Sequence, residues 1–243
     1  CSPSRASLMT GCYPLRVGMH KSSKGMFVLV PKDRKGLHPD EITIAEVLKP
    51  KGYKTACIGK WHLGYLPQFH PNQRGFDEFF GLLGGSRSYF ALPKTDQHTA
   101  IERNGEVVPE VAGSYLTDRW TDAAVEYIDD HVAQNPDQPF FMYLSYTAPH
   151  GPLDAKPGAA EKFTPIKNPK RRIYAAMMES LDEGVGKVLQ ALEKTGIRGN
   201  TIVVFLSDNG GPTDKNLSDN GELKGMKGSV WEGGLRVPFM MQW

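Results

Sequence analysis

Tyr53-Lys54-Thr55-Ala56-Cys57-Ile58-Gly59-Lys60-Trp61-His62 reads as a short strand over residues 53–58. It stops at Gly59 and carries Lys60 and His62 just past its carboxyl end. Upstream, Ile42, Ala45, Val47 and Leu48 predict a short helix that ends near Pro50-Lys51-Gly52. Downstream, residues 64–113 are rich in Gly, Pro and polar residues, show weak periodicity and predict loops. Leu116, Trp120, Ala123, Ala124, Tyr127 and Ile128 share one helical face, with Ser114 as the N-cap. Phe140 to Tyr146, after Pro139, predicts a buried strand, and Ile173, Met177, Leu181, Val188 and Leu192 trace a long helix that stops at Gly196. Thr201 to Leu206, β-branched and apolar, predicts a central strand, and Val237 to Met241 a last short one. Strand, helix, strand, helix, strand at this spacing argues for an α/β fold with a largely parallel sheet under helices. No internal repeat, low-complexity tract or linker interrupts it, and Gly184-x-Gly186 sits inside a helical pattern rather than in a nucleotide fingerprint.

Composition narrows the class further. The chain has 243 residues, 40% hydrophobic and 23% charged, so it can bury a sizeable core without staples. Lys and Arg number 29 against 27 Asp and Glu, a formal +2, which argues against a nucleic-acid or membrane-surface binder. The longest apolar run, Ile173 to Met178, is too short to span a bilayer. Three cysteines, at 1, 12 and 57, are too few for a disulfide framework. The sequence opens at Cys1 with no initiator Met or leader and is expected to be a piece of a longer protein. Asn216-Leu217-Ser218 is a glycosylation sequon of little weight.

Ligands of open α/β sheets bind beyond the carboxyl ends of the strands. Here those ends read Gly59-Lys60-Trp61-His62, Thr147-Ala148-Pro149-His150 and Ser207-Asp208-Asn209-Gly210-Gly211. Any one of these His or Lys residues alone would be an ordinary surface or core residue. Their shared strand-end position points to a common site.

The opening Cys1-Ser2-Pro3-Ser4-Arg5-Ala6-Ser7-Leu8-Met9-Thr10-Gly11 reads as a helix with Ser2 as N-cap, Pro3 at its first position and Gly11 as its stop. Cys1 then lies beside a helix N-terminus, where dipole and unpaired N–H groups favour anions. Arg5 is in reach and can hold an oxyanion through two parallel hydrogen bonds. Read alone, the segment is equally a small buried Cys followed by a turn.

Cys-x-Pro-Ser-Arg-x-x-Leu-Met-Thr-Gly resembles the signature of the type I sulfatases, in the alkaline phosphatase superfamily. Gly59-Lys60-Trp61-His62-Leu63-Gly64 resembles the family's second signature, and Ala148-Pro149-His150 its mid-chain histidine. Ser207-Asp208-Asn209-Gly210 resembles its metal-binding strand end, and residues 227–238, from Lys227 to Pro238, its lysine-bearing loop. The five motifs occur in the family's order.

The resemblance implies an alkaline-phosphatase-like fold, a mostly parallel sheet sandwiched by helices, with residues 1–243 as the central part of the catalytic domain. It implies a sulfuric ester hydrolase in which a separate maturase oxidises Cys1 to Cα-formylglycine. One hydroxyl of the hydrated aldehyde attacks sulfur and displaces the alcohol; the other helps expel sulfate as the aldehyde re-forms. Lys60 and Lys227 would hold sulfate oxygens, His150 would assist the leaving alcohol, His62 would act as base on the diol, and Arg5 would fix it. Asp208 and Asn209, with the modified Cys1, would ligate Ca²⁺, with Mg²⁺ second; their oxygens suit hard cations. The family's two upstream Asp ligands and its C-terminal subdomain have no counterpart here, so these residues alone are expected to bind Ca²⁺ poorly and to be nearly inactive. The substrate would be a sulfated glycan or aryl sulfate, with Tyr65, Arg87, Tyr89, Phe90 and His98 as candidate walls, and the parent protein would be exported or lysosomal. A phosphodiesterase or phosphonate monoester hydrolase of the same superfamily and a non-catalytic anion receptor are the alternatives.

Overall fold

A computed structural model describes residues 1–243. The chain forms two compact units. The first comprises Cys1–Arg87, Ala91–Ser114 and His131–Thr147, the second Ser88–Phe90, Tyr115–Asp130 and Ala148–Trp243.

The first unit is built on strands β1 (Lys54–Lys60), β2 (Glu78–Leu82), β3 (Glu102–Arg103), β4 (Glu106–Val107) and β5 (Phe140–Ser145), in the order β4-β3-β2-β1-β5. β1 is central and runs parallel to both neighbours, in register from Ala56↔Glu78 to Lys60↔Leu82 and from Lys54↔Phe140 to Gly59↔Ser145. β3 and β4 extend the sheet antiparallel beyond β2. The strands approach tightly at one point. Gly59 has φ +102°, and a Cβ there would run into the Ser145 carbonyl, as one at Gly81 would run into the Gly59 carbonyl.

Helix α1 (Ser2–Thr10) stops at Gly11, whose φ of 70° is left-handed and whose N–H bonds the Ser7 carbonyl. α2 (Ile44–Leu48) opens with a reciprocal capping box: Thr43 Oγ1 accepts from Glu46 N–H at 3.2 Å and Glu46 Oε2 from Thr43 N–H at 2.7 Å. The core packs Ala6 and Met9 of α1, Ala45 of α2, Cys57 of β1 and Phe79 of β2 around Trp61, Leu63 and Phe76. The Trp61 indole N–H donates to the Phe69 carbonyl at 2.8 Å, satisfying the one polar atom this ring takes into the core.

Helix α3 (Leu116–Gln134) buries the predicted face of Leu116, Trp120, Ala123, Ala124, Tyr127 and Ile128. In the second unit, α4 (Pro169–Lys194) is capped by Asn168, whose Oδ1 accepts from Lys170 N–H at 3.0 Å. It buries Met177, Leu181 and Leu192. β6 (Val203–Leu206) pairs antiparallel with β7 (Phe239–Gln242), and the short helices α5 (Thr213–Asn216) and α6 (Glu232–Leu235) lie between them in sequence.

The α/β class and the mostly parallel main sheet are as the sequence predicts. Five local readings are corrected. Residues 64–113 hold β2, whose Phe79 and Phe80 are buried, as well as the β3–β4 hairpin. β6 is not central: its bonds go to β7 alone, in a two-stranded sheet, because β-branched residues suit any pleated surface without naming a partner. β5 is half-buried along most of its length. Ser2 is inside α1, whose N-cap is Cys1, and its hydroxyl accepts from Leu29 N–H at 3.2 Å. Ser114 does not cap α3; its hydroxyl donates to the Val111 carbonyl at 2.7 Å.

Candidate functional site

The predicted residues fall into both units. In the first, Cys1, Arg5, Lys60 and His62 are all buried. Cys1 caps α1, and the first backbone bond of the helix runs from Arg5 N–H to the Cys1 carbonyl at 3.0 Å. Arg5 follows one turn later on the same face as Cys1. Its Nη1 donates to the Lys60 carbonyl at 2.9 Å, to the Tyr143 hydroxyl at 3.1 Å and to Ser145 Oγ. The guanidinium thus ties the carboxyl ends of β1 and β5 to the first turn of α1. Tyr143 and Ser145 were invisible as site residues in the sequence, because nothing local marks a strand hydroxyl as a partner 138 or 140 positions away.

Beyond β1 the parallel pairing continues, Trp61 N–H to Leu82 O at 3.0 Å and His62 N–H to Leu83 O at 3.2 Å. His62 is held at φ 59°, a left-handed conformation that a non-glycine residue keeps only when its surroundings impose it. Here two bonds impose it: the backbone bond to Leu83, and Nε2 donating to the Leu29 carbonyl at 2.9 Å. Gly85 closes on the ring, where a Cβ would stand 2.5 Å from Cε1 and 2.7 Å from Nε2.

With Nε2 spent as a donor, Nδ1 is an acceptor, and it is buried without a protein partner. Burial pushes the His62 pKa well below its ordinary 6.5, Lys60 and Arg5 push the same way, and the Leu29 carbonyl opposes them. The imidazole is therefore neutral across the physiological range, an unpaired buried acceptor beside two cations. Such a group calls for a hydrogen-bond donor from outside the chain.

In the second unit, His150 pairs Nδ1 with the Gly151 carbonyl at 2.6 Å, and its own carbonyl accepts from the Tyr89 hydroxyl at 2.9 Å. The turn after β6 is organised by backbone contacts. Ser207 Oγ donates to the Asn209 carbonyl at 2.8 Å, and Gly210 N–H to Gly234 O at 3.0 Å. A Cβ at Gly210 would strike the Gly233 carbonyl. Lys227 N–H meets the Gly211 carbonyl at 3.4 Å, which sets the lysine loop against the turn that carries Asp208 and Asn209. Lys224 Nζ lies 3.8 Å over the Trp231 ring and pins the same loop.

Asn209 directs its amide nitrogen to Gly210 O at 3.0 Å. The donor type of Asp208 and Asn209 fits a hard cation. The donor number does not reach the six to eight oxygens of a Ca²⁺ shell, and no group of three or more His, Cys, Asp or Glu side chains gathers to hold a metal.

The candidate wall residues separate. Arg87 is a structural strap, its two terminal nitrogens on Glu110 Oε1 and Oε2 at 2.7 and 2.8 Å. Tyr89 and Tyr115 stack at 5.5 Å, with Phe90 against Tyr115. Tyr65 and His98 form a pair in the first unit, the tyrosine hydroxyl 2.7 Å from Nδ1. The sequon residue Asn216 is buried, its Oδ1 bonded to Ser218 N–H at 3.0 Å.

A parallel sheet that delivers a buried Lys, a neutral His and a strand-tied Arg to the first turn of a helix defines an α/β protein equipped to receive an anion. The family model described as Sulfatase matches residues 1–243, and the chain belongs to the sulfatase family. Arylsulfatase J of Mus musculus is 37% identical over 98% of this chain and 39% of its own length. N-acetylgalactosamine-6-sulfatase of Mus musculus is 34% identical over 100% of this chain and 48% of its own. Among solved structures, Ps i-CgsB in complex with k-i-k-neocarrahexaose superimposes with a TM-score of 0.88 at 41% identity, covering 100% of this chain and 55% of that one. The chain thus spans half or less of the length of these curated relatives. No helix is long and apolar enough to cross a membrane.

Proposed function

We propose that the protein to which this chain belongs hydrolyses a sulfate monoester and releases inorganic sulfate, with Cys1 oxidised to Cα-formylglycine as its nucleophilic residue. The observation that carries the reading is the buried trio of Arg5, Lys60 and neutral His62 at the N-terminus of the helix Cys1 caps.

When present, the formylglycine supplies a hydrated aldehyde whose hydroxyl can attack sulfur. Around it, the residues of the chain have separable tasks. Lys60 and Lys227 meet sulfate oxygens, where charge spreads as the ester bond breaks. Arg5, fixed by Lys60 O, Tyr143 and Ser145, holds the first turn of α1 at a constant distance from the end of β1. His62 accepts a hydroxyl proton at Nδ1, the one ring nitrogen not already bonded. A base whose pKa lies far below its ordinary value is a poor proton acceptor. A sulfate bound beside Lys60 and Arg5 offsets their charge and moves His62 upward, so the base strengthens when substrate is in place. His150 gives a proton to the leaving alcohol. Asp208 and Asn209 would hold part of the shell of a Ca²⁺ ion, which lends positive charge to the sulfate seat.

Sulfated glycans are the substrate class we favour, supported by the neocarrahexaose complex of a neighbour 41% identical to this chain and by the N-acetylgalactosamine-6-sulfatases among its relatives. An exported or lysosomal setting goes with that substrate. The test is the full-length protein, co-expressed with a formylglycine-generating maturase and assayed on sulfated oligosaccharides, aryl sulfate, aryl phosphate and a phosphonate ester. Sulfate release should track the fraction of oxidised Cys1 measured by peptide mass spectrometry. Equal turnover with an intact thiol, or faster phosphonate cleavage, would overturn the proposal.

A further inference from the structure

Tyr65 and His98 both lie in the first unit, and each is fixed on more than one side. The Tyr65 hydroxyl bonds His98 Nδ1 at 2.7 Å, and the rings approach to 5.8 Å. Gln97 Nε2 donates to the Tyr65 carbonyl at 2.6 Å, and Asp96 Oδ1 accepts from His98 N–H at 3.0 Å. Gly84 lies so close that a Cβ there would stand 2.7 Å from His98 Nδ1. The next residue, Gly85, is the one that closes on the His62 ring.

A continuous line of contact therefore runs from Tyr65 through His98 to Gly84 and Gly85 and on to His62. We infer that Tyr65 and His98 are positioning residues, which hold the Gly84-Gly85 segment against the His62 imidazole and so keep its Nδ1 aimed at the group it serves. The inference rests on the sulfatase reading of His62 given above. Several features favour positioning over a direct role. Tyr65 is 2% exposed, and its hydroxyl is committed to His98. The His98 ring is bonded to Tyr65 through Nδ1 and packs close against Gly84. Neither residue lies on a regular element, so packing of a helix or strand does not account for the pairing.

Positioning makes a distinctive kinetic demand. Substrate seating is the task assigned to Lys60 and the helix end, whereas the proton transfer depends on His62, the residue at the end of this line of contact. In the oxidised full-length protein, Tyr65→Phe should lower kcat ~10-fold, the low end for loss of an outer partner of a site residue, with KM within about twofold. His98→Asn keeps an acceptor for the Tyr65 hydroxyl at the position of Nδ1 and should lose less than His98→Ala. The double variant Tyr65→Phe/His98→Ala should be no slower than His98→Ala alone, because both changes cut the same line.

Hydrogen–deuterium exchange of the peptide spanning residues 83–86 supplies a readout independent of turnover, and it should speed up in Tyr65→Phe. A kcat unchanged within twofold, losses that multiply in the double variant, or a change confined to KM would overturn the inference. If the oxidised wild-type protein releases no sulfate at all, the functional reading fails and the exchange result alone decides whether the line of contact exists. Unchanged exchange at 83–86 then removes it.

Discussion

The seat around Arg5 and the turn around Asp208 hold chemistry-bearing residues by opposite means. At the seat, side chains do the holding. One guanidinium nitrogen meets a carbonyl and two hydroxyls on β1 and β5, His62 is kept in a left-handed conformation, and every predicted residue is buried. At the turn, the backbone does the holding. Gly210, Gly233 and Gly234 admit backbone carbonyls where a Cβ would not fit, and Lys227 enters through its own N–H. The two designs separate stability from charge differently. A side chain at the seat is at once a structural tie and a source of field, whereas at the turn close backbone contacts carry much of the structure.

The sharpest way to break this contrast is to delete one cation from each region of the full-length enzyme. Arg5→Ala should cost ~10²–10³ in kcat/KM and also ~3 kcal/mol of stability, because it strands buried acceptors and opens a cavity. Lys227→Ala, at a less buried position, should cost a similar factor in rate with a smaller fall in the thermal midpoint. Steady-state kinetics and calorimetry on the same two preparations decide it. Equal stability losses would erase the distinction.

Backbone closeness gives a second comparison, within the seat itself. Gly59→Ala meets the Ser145 carbonyl and must also adopt φ +102°, so it should destabilise by roughly 3 kcal/mol or more. Gly11→Ala has φ 70° as well but open space around the new methyl, and should cost only ~1 kcal/mol. Urea denaturation of the two variants separates steric collision from conformational strain.

Much of this was legible from residue order, and the illegible part has a common cause. The α1 stop at Gly11, the Pro50-Lys51-Gly52 end of α2 and the buried face of α3 follow from local rules, and they stand in the structure. Lys60 and His62 stand at the carboxyl end of an apolar strand, as the sequence predicts, although β1 runs on to include Lys60 itself. β2 was missed although Phe79, Phe80 and Leu82 form a short apolar run, because the surrounding glycines and polar residues drown a five-residue signal. What escaped entirely was long-range pairing: Arg5 with Ser145, His62 with the Leu29 carbonyl, Tyr65 with His98. Each joins residues at least 33 positions apart, and no propensity encodes such a distance. β6 erred for the same reason, since its residues announce a strand but not its neighbour.

The smallest effect concerns charges away from either site, and it extends the same distinction. Asp77 is tied into the seat's sheet: Oδ2 accepts from Thr55 N–H at 2.9 Å and Oδ1 from Lys49 Nζ at 2.7 Å. Burial raises its pKa, but the Lys49 and Thr55 bonds together outweigh that and hold the carboxyl below the ordinary 3.8. A folded pKa below the unfolded one means that the stabilisation is complete above about pH 3.8 and fades as pH falls through the lower folded value. Asp77→Ala should therefore lose ~1–2 kcal/mol at neutral pH, the cost of an orphaned strand N–H, and the gap to wild type should narrow in acid. Lys162 and Glu179, 3.0 Å apart on the surface of the second unit, form a comparable pair in distance but share no backbone donor. Glu179→Gln should leave the denaturation midpoint where it is at every pH. If Glu179→Gln matched Asp77→Ala, charge proximity rather than attachment to the sheet would be what stabilises this fold.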